Sequence, residues 1–141
     1  MSREYPDRPF VGVGVVVWRG DEVLLIERGK GPRTGSWSLP GGMQELGETV
    51  REAAQREIRE ETNIEIDVTA LLDVVDMVRR DDDGRVRFHY TLVDFTAEWR
   101  SGEAKAGTDA AAVRWVRLED LDAYRLWDET QRVIRLSASR R

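Results

Sequence analysis

The chain has no cysteine and a single histidine, His89, among 141 residues. The first absence excludes disulfides, thiolate metal sites and a cysteine nucleophile. The second excludes a metal centre built from several histidines. No apolar run approaches the ~20 residues of a membrane span. The opening MSREYPDRPF lacks the apolar core of a secretory leader, so a cytoplasmic location is expected. Positive charge is short as well: 22 Lys and Arg stand against 27 Asp and Glu, a net charge of −5. That balance argues against general binding to nucleic acid or to an anionic membrane. What remains is a soluble globular composition, 40 % hydrophobic and 35 % charged. The length suits one domain over 1–141 with a real core and is too short for two ordinary ones.

The most informative stretch is 42–64, GMQELGETVREAAQREIREETNI. Thr49 followed three residues later by Glu52 is a capping box, so a helix should start there. Asn63 is a left-handed C-cap candidate and would end it. At about 100° per residue, Val50, Ala53, Ala54, Glu57, Glu60 and Glu61 share one side. Small apolar residues mark the side that packs on the protein, so the three glutamates project from the packed side. Carboxylates crowded there repel one another and lose solvation. Divalent cations would neutralise them, and an all-oxygen donor set suits Mg²⁺ or Mn²⁺. A salt-bridged surface helix is the competing reading.

Around this helix the pattern is mixed. Phe10–Trp18 is β-branched and reads as a buried strand. Gly12 and Gly14 leave one side of it nearly bare, either for close packing or for a substrate. Val23–Arg28 completes a hairpin. The Gly-rich loop 29–37, with Arg28, Lys30 and Arg33 in or beside it, is an ordinary surface loop or an anion-binding segment. Glu65–Arg79 is one long or two short strands, and 81–84, DDDG, is a solvated turn. Arg85–Trp99 alternates over Val86, Phe88, Tyr90 and Leu92, with His89 on the opposite face as a structural or rim residue. A strand over 112–116 and a closing helix over 126–137 finish the chain.

Gly42, Glu48 and the run Arg56-Glu57-Ile58-Arg59-Glu60-Glu61-Thr62-Asn63-Ile64 resemble the Nudix box. Every specified position agrees except Asn63, where the family has Gly. The preceding Trp37-Ser38-Leu39-Pro40-Gly41-Gly42 resembles the segment that commonly leads into that box. The resemblance implies an α/β fold, a Nudix-type α/β/α sandwich with a mixed sheet. It also implies a metal-dependent hydrolase that cleaves the pyrophosphate of a nucleoside diphosphate linked to another group. Carried over by position, Gly42, Glu48, Glu57, Glu60 and Glu61 are metal-ligand candidates. Glu57, Glu60, Glu61 and Arg56 are the catalytic candidates, Arg56 as an orienting residue paired with Glu48. Arg28, Trp37, Gly41 and Trp127 are the substrate-binding candidates. Trp127 either stacks on a base or plugs the core.

ADP-ribose or a similar molecule is the favoured small-molecule substrate. A nucleoside triphosphate and a non-catalytic nucleotide-binding module are the alternatives, and a homodimer is left open. Related ADP-ribose-cleaving proteins often carry a Glu where this chain has Ala112. Glu98, Glu103 and Asp109 are the acids that could stand in for it.

Overall fold

The first strand, β1 (Phe10–Arg19), is apolar at nearly every position because both of its faces are covered. The computed structural model describes residues 3–31 and 33–141. Met1, Ser2 and Pro32, the last of them inside the loop expected over 29–37, lie outside the described residues. β1 runs parallel to β6 (Val86–Ser101) from Phe10 opposite Tyr90 to Trp18 opposite Glu98. Its other edge is shared. Gly12–Gly14 pairs antiparallel with β4 (Gly41–Met43), and Trp18–Arg19 pairs with β2 (Glu22–Arg28). β2 also pairs with β3 (Trp37–Ser38) and with β7 (Ala110–Arg117). β5 (Glu65–Arg80) closes the other side as a single long, bulged partner of β6. The result is one mixed sheet.

Alternation along β1 sorts the core into two layers. Val13, Val15 and Val17 pack with Leu24 and Phe95 against Ala53, Ala54 and Ile58 of helix α1 (Val50–Thr62). Val16 and Trp18 pack on the other face with Leu25, Leu121, Val133 and Ile134, the last two from helix α2 (Asp128–Ser139). This is the α/β/α sandwich that the sequence leads one to expect. Ile58 is fully buried, so its truncation to Ala should cost about 2–5 kcal/mol. Helix α2 is also pinned by polar groups. Trp18 Nε1 donates to Ser137 Oγ at 2.8 Å, and Ser137 shares a 2.6 Å hydrogen bond with Thr96.

Several expectations shift. The strands β3 and β4 are too short for a period-2 pattern to betray them. The last helix begins at Asp128 rather than Leu126. Leu126 is buried core and Trp127 is an extended N-cap, after a left-handed Arg125 ends the 3₁₀ turn at Leu118–Tyr124. The DDDG turn forms as expected: Asp81 accepts from the backbone N–H groups of Asp83 and Arg85. Among the described residues, no helix is long and apolar enough to cross a membrane.

Candidate active site

Helix α1 forms where its caps predict. Thr49 Oγ1 accepts from Glu52 N–H, and Glu52 returns a bond from Thr49 N–H. Asn63 takes the left-handed conformation, φ 65°, and its N–H reaches the Arg59 carbonyl at 3.0 Å. Asn is tolerated there because its short side chain accepts that backbone, as the glycine of the motif would. The carbonyls that the helix leaves open are taken by the loop after β6. Lys105 N–H donates to Thr62 O and Gly107 N–H to Glu61 O.

The face assignment needs one correction. Glu57 and Glu61 point inward, but the Glu60 side chain is 61 % exposed. The buried stripe also contains Ile58 and Thr62. With them its centre moves toward Ala54, and Glu60 swings to the rim.

Arg56 is the hub. Its Nε and Nη2 grip Glu48 at 2.6 and 2.9 Å, and Nη2 also donates to Met43 O at 2.9 Å. Its Nη1 donates to Glu57 Oε1 at 2.9 Å and to Glu60 Oε2 at 3.1 Å. The expected Glu48–Arg56 pair is therefore formed. The side-on grip of Arg56 on both its oxygens, with help from the Glu45 N–H, holds the Glu48 carboxyl down at about 2. Glu48 is thus committed to Arg56. Among the described residues, no three acidic or histidine side chains already converge as a metal ion would require.

The inner carboxylates differ. Burial pushes Glu57 up, and the Arg56 guanidinium offsets part of that. Burial pushes Glu61 up to about 7, against the Gly41 N–H at 3.0 Å and the charge of Arg28. Both glycines of β4 are needed for this approach. A Cβ on Gly42 would lie 2.3 Å from the Glu57 carboxyl, and one on Gly41 would lie 2.0 Å from Val13 O. Their donor chemistry fits a hard cation: oxygen only, one helical turn apart, and short of positive charge. Arg28 lies in the field of Glu61, and its Nε is buried with no hydrogen-bond partner among the described residues.

The other substrate candidates sit on the α2 side of the sheet. Trp37 is half-buried, edge-on to Tyr124 with centroids 5.1 Å apart and with Arg114 over its ring at 5.3 Å. Trp127 is half-buried against the α2-side core, with Arg79 over its ring at 5.2 Å. Of the acids considered in place of a Glu at Ala112, Glu98 is held by Arg141 at 2.9 Å. Glu103 is exposed, and its carbonyl receives the Asn63 side chain. Asp109 lies in the field of Glu61 and pairs with Lys30 at 3.5 Å. One acid inside an apolar strand carries no periodic signal, so periodicity does not single out Asp94, which is buried in β6.

Comparison with known proteins adds independent findings. The NUDIX domain family model matches residues 8–136. The chain is 39 % identical over 113 residues to an ADP-ribose pyrophosphatase of Methanocaldococcus jannaschii, covering 80 % of this chain and 64 % of that protein. It is 45 % identical over 65 residues to a human 8-oxo-dGDP phosphatase, covering 46 % of this chain and 20 % of that one. The chain thus spans less than two thirds of the length of either relative. Among solved structures, a MutT NUDIX hydrolase from Burkholderia pseudomallei superposes with a TM-score of 0.80 at 32 % identity, covering 92 % of this chain and 98 % of that one.

Proposed function

The chain belongs to the Nudix hydrolases, enzymes that act on pyrophosphate bonds, and from that premise we propose that it cleaves the diphosphate of a nucleoside diphosphate linked to another group, with ADP-ribose the favoured substrate and Mg²⁺ or Mn²⁺ the metal. The observation that carries this reading is the pair of inward carboxylates, Glu57 and Glu61. They stand one turn apart, both lifted in pKa by burial, and among the described residues their hydrogen-bond donors are Arg56 and the Gly41 N–H. Folding alone gives no return for that arrangement, since ionised buried carboxylates cost stability. Nudix hydrolases generally use divalent metal ions. Glu57 and Glu61, with the Gly42 carbonyl and Glu60 at the rim as further donors, would hold one here. The ion would neutralise the carboxylates and stabilise charge on the diphosphate.

The chain's own groups supply the rest. Arg56 fixes Glu57 in place while its other edge is anchored on Glu48 and Met43 O. The Gly41 N–H aims Glu61. Arg28 puts its charge beside Glu61, and its guanidinium matches phosphate oxygens in shape and charge. Glu60, at the exposed rim, is the acid placed to take a proton from an attacking water, and Asp109, which lies in the field of Glu61, is the alternative.

The archaeal relative's name supports ADP-ribose. The human relative's name supports a second reading, a modified nucleoside di- or triphosphate. Its similarity spans a short segment only. Chromatography of the products decides between them. AMP plus ribose phosphate from ADP-ribose is the expected result. Release of a nucleoside monophosphate from nucleoside di- or triphosphates, with ADP-ribose untouched, would establish the second reading. Tight nucleotide binding without turnover of anything, Mg²⁺ present, would leave only a binding module.

A further inference from the structure

We infer that Asp94 is a specificity-determining residue that reads the base of the substrate by accepting a hydrogen bond from the exocyclic amino group of a purine. The inference rests on the nucleoside diphosphate reading above and names the base that goes with it.

Asp94 is 7 % exposed, and no described group donates a hydrogen bond to it. Among the described residues the one fully enclosed side-chain polar atom without a partner is Arg28 Nε, so the Asp94 oxygens keep an opening to solvent through which a ligand's donor can replace water. The neighbouring cation is already engaged: Arg132 donates to Asp73 at 2.8 Å and to Glu129 at 2.5 Å. Asp73, opposite Asp94 in the β5–β6 ladder, adds a like charge. Burial first, and then Asp73, raise the Asp94 carboxyl to about 6. At pH 7 it is therefore mainly ionised and purely an acceptor.

The surroundings are shaped for this carboxylate. A Cβ on Gly14 would lie 2.5 Å from Asp94 Oδ1, so the glycine opens the space that Asp94 uses. Leu39 Cδ1 is 3.9 Å from that same point, and Leu92 fills the equivalent space beside Gly12. Leu39 and Leu92 are half-buried on this face, which gives apolar walls of the kind that flank a planar base.

Position ties Asp94 to the carboxylates of α1. Asp94, Gly14 and Gly41 are register partners across three adjacent strands. The Gly41 N–H then holds Glu61 at 3.0 Å. A substrate whose diphosphate lies by Glu57 and Glu61 can thus place its base on the other side of the same glycine row. An ionised carboxylate accepts from the adenine amino group and opposes the oxygen that replaces it in hypoxanthine. A site with such a fixed acceptor rejects the mismatched analogue strongly.

The test compares ADP-ribose with its inosine counterpart, IDP-ribose, on the parent protein and on Asp94→Asn, with Mg²⁺ present. The parent should favour ADP-ribose by at least about tenfold in kcat/KM. Asp94→Asn, whose amide can donate to the hypoxanthine oxygen, should bring the ratio near one through KM, with kcat little changed. A parent ratio near one, or a large ratio that Asp94→Asn leaves intact, overturns the inference while leaving the hydrolase reading standing. If neither compound is hydrolysed, ADP-ribose is not the substrate. The same ratio is then read from calorimetric binding of ADP and IDP, where equal affinities overturn the inference. If Asp94→Asn does not fold, the parent ratio and Asp94→Ser decide on the same criteria.

Discussion

The guanidinium of Arg56 embraces the carboxylate of Glu48 edge to edge, with Nε 2.6 Å from Oε2 and Nη2 2.9 Å from Oε1. This leaves Nη1 free to reach Glu57 and Glu60. A planar fork does this and a lysine ammonium does not. Arg56→Lys should therefore lower the melting temperature by several degrees and reduce kcat by at least about tenfold, because Glu57 loses its brace. Thermal unfolding and steady-state kinetics at saturating Mg²⁺ read the two effects. Unchanged kcat would remove Arg56 from the site.

The Glu48 carboxyl, held down at about 2 by that grip, gives the pair a pH signature. A depressed carboxylate pKa stabilises the fold above the unfolded value of about 4.5 and loses that contribution as pH falls toward 2. Acid unfolding of Glu48→Gln should thus show a shallower loss of stability between about pH 4.5 and 2 than the parent. Parallel acid-unfolding curves would contradict the assignment.

Glu61 works in the opposite sense. Its carboxyl is raised to about 7 by burial, so the folded state holds a proton that the unfolded state releases from about pH 4.5 upward. Without divalent metal, stability should fall as pH rises from about 4.5 to 7, by up to about 3 kcal/mol. Glu61→Gln should remove that share of the slope and leave the shares of Glu57 and Asp94, whose carboxyls are also raised, and Mg²⁺ should restore the parent's stability near pH 7. Urea titrations at pH 5 and 7.5, with and without Mg²⁺, measure it. The same substitution should cut turnover at least roughly a hundredfold with the fold intact, since it deletes a charge rather than core volume. Glu57→Gln should behave alike.

Much of this was legible beforehand, for identifiable reasons. Caps and periodicity are local, so Thr49, Glu52 and Asn63 bounded α1 correctly, and the apolar run of β1 announced a strand covered on both faces. The Glu48–Arg56 pair was legible from the box resemblance. What failed depends on partners far away in the chain. Whether Glu60 is inside turns on where Ile58 and Thr62 dock, and that is decided by the sheet. Gly14 looked like bare strand until Asp94, eighty residues on, filled its side. The strands at 37–38 and 41–43 exist only because β2 and β1 offer them edges.

Gly42 gives a steric test that no charge change can imitate. A methyl group there would fall 2.3 Å from the Glu57 carboxyl, so Gly42→Ala must push Glu57 away from Arg56 and the inner site. The helix packs through Ala53, Ala54 and Ile58, away from that contact, and should stay in place. Turnover should drop at least about tenfold, and the Mg²⁺ concentration for half-maximal rate should rise. A fully active Gly42→Ala with unchanged Mg²⁺ dependence would place the metal elsewhere.

Trp127 is the residue whose two readings the structure separates furthest. Its ring packs against the α2-side core and starts α2 as an N-cap, which is the behaviour of a packing residue. The face it leaves open already carries the Arg79 guanidinium at 5.2 Å, a contact worth on the order of 0.5–1 kcal/mol at an exposed site. A base could stack there only after displacing that cation. Trp127→Leu is therefore expected to lower the melting temperature by several degrees and to leave the KM of the surviving enzyme within about twofold. A severalfold rise in KM at an unchanged melting temperature would mean that the ring holds the base and that Arg79 gives way to it.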